Sequence, residues 1–135
     1  MQKLYISPTA NTPEIIFSPE ENIFVIRGTS SPEDVRAMYY PVIEWISTFI
    51  KNTLGGELNN YSSGSPLKFQ IDLDYFNSSS AKFLFDIFTG LKEVSQIGIP
   101  IVVEWFHEKE DVDMKEAGTD IASLAGMEFT YIPKN

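Results

Sequence analysis

The chain has 135 residues, a formal net charge of −9 and no cysteine. These features exclude disulfides, thiolate metal sites and cysteine nucleophiles. The negative balance argues against a nucleic-acid partner, whose phosphates require clusters of Lys and Arg. Hydrophobic residues make up 43 % and aromatics 13 % of the chain, enough for one filled core over residues 1–135 and too many for a disordered tail.

Three short strands are predicted first, at Leu4–Ile6, Glu14–Phe17 and Ile23–Arg27, with a hairpin connection at 18–22 and a break at Gly28. Ser31-Pro32-Glu33-Asp34 reads as a helix start, with serine as the cap, proline at the first position and acids in the first turn. Val35, Met38, Tyr39, Val42, Ile46, Phe49 and Ile50 then form one apolar stripe. Pro41 inside this helix predicts a kink or a displaced start. Tyr40 and Trp45 fall off the stripe and are expected at the surface. Residues 52–66, rich in Gly, Asn and Ser, are expected to form a long, mobile polar loop.

Leu67–Leu73 alternates apolar and polar residues as a half-buried strand does, and Ala81, Leu84, Phe85, Phe88 and Leu91 place a helix after it. Gly98 and Pro100 end that helix. Ile99–Trp105 is a continuous apolar run and is read as a buried central strand. An acidic loop at 107–113 leads into a helix over 112–124 with Met114, Ala117, Ile121 and Leu124 facing inward, then Gly126 and a last strand at 127–132. A meander followed by alternating helices and strands predicts an α/β domain. Its sheet should be mixed and mostly parallel, with about three helices packed on it.

The most informative stretch is the joint at 77–80, where Asn77, Ser78, Ser79 and Ser80 lie between a strand and a helix. Such residues cap helices, and a helix N-terminus also stabilises a phosphate through its free N–H groups and its dipole. The joint is therefore a plain cap, a phosphate-accepting switch, or both. Other chemistry is poorly served. Glu104, Glu108, Glu110, Asp111 and Asp113 are dense in carboxylates but lack calcium-loop spacing, so no metal is expected. His107, the one histidine, has no nucleophile-elbow serine to serve and reads as a surface residue after a strand. Gly55-Gly56 lacks the lysine and hydroxyl of a phosphate loop. Neither an enzyme nor a cofactor is expected. No apolar run approaches the ~20 residues of a membrane span, so the expectation is a cytoplasmic protein not inserted in a membrane.

The segment 74–87, DYFNSSSAKFLFDI, resembles the central motif of the SiaC family of bacterial regulatory phosphoproteins. Thr12-Pro13-Glu14-Ile15, Gly28 with Ser31-Pro32-Glu33, Tyr39-Tyr40-Pro41 with Trp45, Glu104-Trp105-Phe106 and the run Asp111 to Gly118 are similar to other parts of the family's pattern. The resemblance implies a STAS-like fold, akin to anti-anti-sigma factors, with a phosphoacceptor at the start of the helix after a central strand. It implies a serine/threonine kinase with a histidine-kinase-like ATPase fold, a PP2C-type phosphatase, and a diguanylate cyclase bound by the unphosphorylated form. The acceptor carries over to Ser78, with Ser79 as the second candidate. Tyr75, Phe76, Asn77, Ser80 and Lys82 are the expected partner-contacting residues, with Lys82 placed to pair with the phosphate. A constitutive binding domain whose serines only cap the helix is the alternative.

Overall fold

The computed structural model describes residues 1–56 and 61–135. Its elements are β1 (Leu4–Ile6), β2 (Glu14–Ser18), β3 (Ile23–Ser30), α1 (Val35–Leu54), β4 (Leu67–Phe76), α2 (Ser78–Gln96), β5 (Ile101–Glu108), α3 (Val112–Ala125) and β6 (Thr130–Lys134). The strands form one sheet in the order β1-β2-β3-β4-β5-β6. The first two pairings are antiparallel and the remaining three parallel, so the expected mixed α/β architecture with an N-terminal meander is present.

Strand register explains the core. Phe17, Phe24, Phe69 and Val103 lie side by side across β2 to β5, and Ile15, Ile26, Ile71 and Trp105 form the next inward row. All eight are at most 1 % exposed. The three helices cover this one face: Phe49 of α1 meets Phe24, Phe88 of α2 meets Phe69, and Gly118 of α3 lies against Trp105. Among the described residues no helix covers the other face, which carries charged side chains, with Lys68 3.4 Å from Glu104 and Lys134 2.6 Å from Asp72.

This one-sided packing corrects several sequence expectations. β5 is not central but lies between β4 and the edge strand β6, and only Val103, Trp105 and His107 of it are buried. It runs on to Glu108 because Glu108 still pairs with Lys134. His107 therefore falls on the inner face, 6 % exposed, with Nδ1 2.8 Å from the Glu108 carbonyl. Leu124 is 74 % exposed and not inward-facing, while Gly118, six residues earlier on α3, takes the place against the Trp105 ring. Trp45 is not free at the surface. It stacks on Phe49 at 5.5 Å and donates its indole N–H to the Gln2 carbonyl. Tyr40 is exposed as expected.

The start of α1 is displaced. Ser31 N donates to the Asn11 carbonyl, which holds the chain extended past Ser30, and Asp34 becomes the cap by accepting from Ala37 N at 3.1 Å. Pro41 remains inside the helix on its exposed side, where the Ala37 carbonyl that it leaves without a donor faces water. The predicted loop at 52–66 is shorter than expected, since α1 runs to Leu54 and Ser62 and Ser65 exchange two backbone bonds. Residues 57–60 of that loop lie outside the described residues. The last strand starts at Thr130, after Phe129 has turned into the core.

A Cβ at Gly118 would sit 2.7 Å from Trp105 ring atoms, too close for either side to stay in place. Gly118→Val should therefore destabilise the fold by about 1–3 kcal/mol. Urea unfolding checks this, and an unchanged midpoint would contradict the packing described.

Candidate functional site

β4 ends at Phe76 and α2 begins at Ser78, with Asn77 alone between them as the cap. The Asn77 backbone is extended, and its side-chain oxygen accepts from Ser80 N at 2.9 Å. The Asn77 carbonyl accepts from Ala81 N at 3.0 Å and so closes the first turn. Capping is thus done by asparagine. Ser78 and Ser79 are exposed, and among the described residues neither hydroxyl has a protein partner.

Ser80 behaves differently. It is fully buried, as are Ser30 and Tyr39, and the three hydroxyls form a chain. Ser80 Oγ donates to the Ser30 carbonyl at 3.1 Å, and Ser30 Oγ donates to Ser80 Oγ at 2.8 Å. Each serine has one proton, so the 2.6 Å contact between Tyr39 Oη and Ser30 Oγ is donated by the tyrosine. The Ser30 carbonyl also accepts from Asn77 N at 3.0 Å. The start of α2 is thereby fastened to the end of β3 and, through Tyr39, to α1. Ser80 was expected among the partner-contacting residues, and its burial removes it from any surface in this conformation. Sequence reasoning missed this chain, although Ser80 shares a helical face with Leu84, Ile87 and Leu91.

The surface around the joint is aromatic and sparsely cationic. Tyr75 is 55 % exposed, and Phe76 is half-buried with its ring edge-on to Trp105 at 6.0 Å. Tyr40 of α1 reaches the same side, edge-on to Phe83, whose other neighbour is the Tyr39 ring stacked at 5.3 Å. Lys82 is exposed but directed down the helix, 3.1 Å from Asp86 and over the Phe83 ring. Pairing with a phosphate on Ser78 requires it to leave that carboxylate.

The acidic residues are dispersed among other tasks. Glu104 accepts from Gln70, Asp111 caps α3 by accepting from Met114 N at 3.0 Å, and Glu108 lies 3.7 Å from Lys134. Among the described residues no group of three or more such side chains is arranged around a metal position. His107 does not join them, being turned to the inner face. Among the described residues no helix is long and apolar enough to cross a membrane.

An exposed strand-to-helix joint on a one-sided, mixed α/β sheet defines the class of domain. Its family is equally plain: residues 6–134 match the model of the SiaC family of regulatory phosphoproteins, and the chain belongs to that family. It is similar to an uncharacterized protein of Pseudomonas aeruginosa strain UCBPP-PA14, 28 % identical over 129 residues that span 96 % of this chain and 94 % of the relative. The crystal structure of apo-SiaC from Pseudomonas aeruginosa superposes with a TM-score of 0.79 at 26 % identity, covering 97 % of this chain and 98 % of that one. SiaC seen in complex with the diguanylate cyclase SiaD, which it activates, shares the fold at a TM-score of 0.80 and 24 % identity, over 97 % of this chain and 99 % of that one.

Burial raises the Tyr39 hydroxyl above its ordinary pKa. A folded pKa above the unfolded one makes a contribution that is complete below about pH 10 and is lost as the pH climbs through the folded value. Stability should therefore fall on raising the pH past about 10, and less steeply in Tyr39→Phe. At pH 7 the same variant should lose about 1 kcal/mol, because Ser30 Oγ keeps its acceptor but loses its donor. Urea titrations across this pH range measure both effects, and parallel curves for the two proteins would refute the assignment.

Proposed function

We propose that this SiaC-family protein is a phosphorylation-controlled switch with Ser78 as acceptor and Ser79 as the alternative, the whole chain acting as one domain in the cytoplasm. The observation that carries this reading is the division of labour at the joint. Asn77 caps the helix and Ser80 anchors it, which leaves two exposed hydroxyls with neither task. A phosphate on Ser78 sits at the first position of α2, where free backbone N–H groups and the helix dipole favour negative charge. The modification therefore need not disturb the fold.

Its effect would fall on a partner. Phosphorylation adds roughly −1.5 to −2 charges at pH 7, beside the exposed rings of Tyr75 and Tyr40. A partner that covers these rings would have to desolvate the new charge, so it is released. By analogy with the Pseudomonas SiaC that activates SiaD, that partner is a diguanylate cyclase, bound while the hydroxyl is bare. A serine/threonine kinase with a histidine-kinase-like ATPase fold and a PP2C-type phosphatase would set the state. The protein itself supplies no catalytic group.

Incubation with ATP and the kinase should place one phosphate on residues 78–80, located by mass spectrometry. Ser78→Ala should abolish it and Ser78→Asp should weaken cyclase binding. Phosphate retained by Ser78→Ala would move the acceptor to Ser79, and absence of phosphate from the unaltered protein would leave a constitutive binding domain.

A further inference from the structure

We propose that the groove between the end of β4 and the start of α3 receives a cationic side chain, on an apolar segment, of the kinase that modifies the joint; this rests on the reading of Ser78 or Ser79 as acceptor. The groove has a volume of about 390 Å³. Phe76, Met114 and Ala117 form its less exposed lining, and Tyr75 stands at its rim. Asp74 lies on one bank, and Asp111 and Asp113 on the other. Asp111 is occupied in capping α3, but Asp74 and Asp113 are exposed and hold no cation at ion-pair distance among the described residues. Lys134, at the adjoining strand end, is held by Asp72 and Glu108 and acts on Asp74 through its charge without pairing with it.

An apolar trough between two carboxylates that make no direct ion pair is complementary to one kind of side chain. Arg and Lys lay their methylene stems on aromatic and aliphatic surface while the charged head stays at the edge, where Asp74 and Asp113 would meet it. A neutral apolar segment would desolvate the carboxylates without return, and an acidic one would be repelled.

The sign of the charge also selects the partner. Phe76 lines the groove two residues before Ser78. A cation seated there would be held more tightly once the phosphate is added. An effector that must leave on phosphorylation is badly served by such a contact. The kinase must bring the phosphates of ATP to a chain of net charge −9 before any phosphate is present on it. A cationic docking element offsets that repulsion and speeds encounter.

Asp74→Asn/Asp113→Asn tests the inference with the full chain and the kinase purified by its ATP-dependent phosphorylation of this protein. Both sites are exposed and the replacement keeps their shape, and thermal melting verifies the fold. The KM for the protein substrate should rise about five-fold, because docking is weakened before the phosphate is transferred. The unaltered protein's KM should climb with salt and the variant's much less. Affinity for the cyclase should stay within two-fold. A KM that does not move, or a cyclase affinity that falls as far as the kinase's, overturns the groove assignment while leaving the acceptor intact. If the unaltered protein takes no phosphate at residues 78–80, the acceptor reading and the groove assignment fall together.

Discussion

The carbonyl of Ser30 accepts two bonds from the start of α2, one from the Asn77 amide at 3.0 Å and one from the Ser80 hydroxyl at 3.1 Å. Everything distinctive about the joint follows from this convergence. β3 and β4 are paired in parallel as far as Ser30 and Phe76, so the Asn77 bond prolongs the ladder by one step before the chain turns into the helix. The Ser80 bond then sets the rotation of the helix about its axis. Its hydroxyl is buried, and a buried hydroxyl without a partner costs about 1–3 kcal/mol. Turning Ser80 outward would expose Ser30 and Tyr39 to the same loss, since the three form one chain of donors. With that rotation fixed, Ser78 and Ser79 have to face away from the core.

The one-sided sheet extends this constraint to the whole molecule. Three helices share the inner face, and parallel connections bring the ends of β3 and β4 and the starts of α1 and α2 to one side of the domain. Tyr40 lies edge-on to Phe83, which stacks on Tyr39 and joins α1 to α2, while Tyr75 and the joint lie at the end of β4. The start of α3 adds its carboxylates to the adjacent groove. A rigid aromatic base with exposed hydroxyls above it suits control by charge: a phosphate changes the surface without requiring the base to repack.

The identity and order of the elements were legible because their signals are local. Alternation in 67–73 and the helical stripes of α1 and α2 need no knowledge of distant residues. The misreadings share one cause, which is that exposure depends on what lies across the sheet. An apolar run at 99–105 looks central only if both faces are covered, and among the described residues no helix packs on the second face. Leu124 looked inward by helical spacing, but the contact of α3 with the sheet is made where Gly118 admits the Trp105 ring, which rotates Leu124 out. Trp45 lies off the main stripe yet is covered by the N-terminal segment, whose Gln2 carbonyl takes its indole bond across 43 positions. Ser31 has the composition of a cap, but its amide is drawn to Asn11 and the task passes to Asp34.

By itself the sequence determined that a strand gives way to a helix at 77–80, because periodicity and capping preference act between near neighbours. It also carried the pattern of the SiaC family. It did not distinguish the roles of Ser78, Ser79 and Ser80, three identical residues with the same local propensity. Only the tertiary structure separated them, through a contact between Ser80 and a residue 50 positions away. A long-range bond of that kind fixes which side of a helix is interior, and no local pattern encodes it.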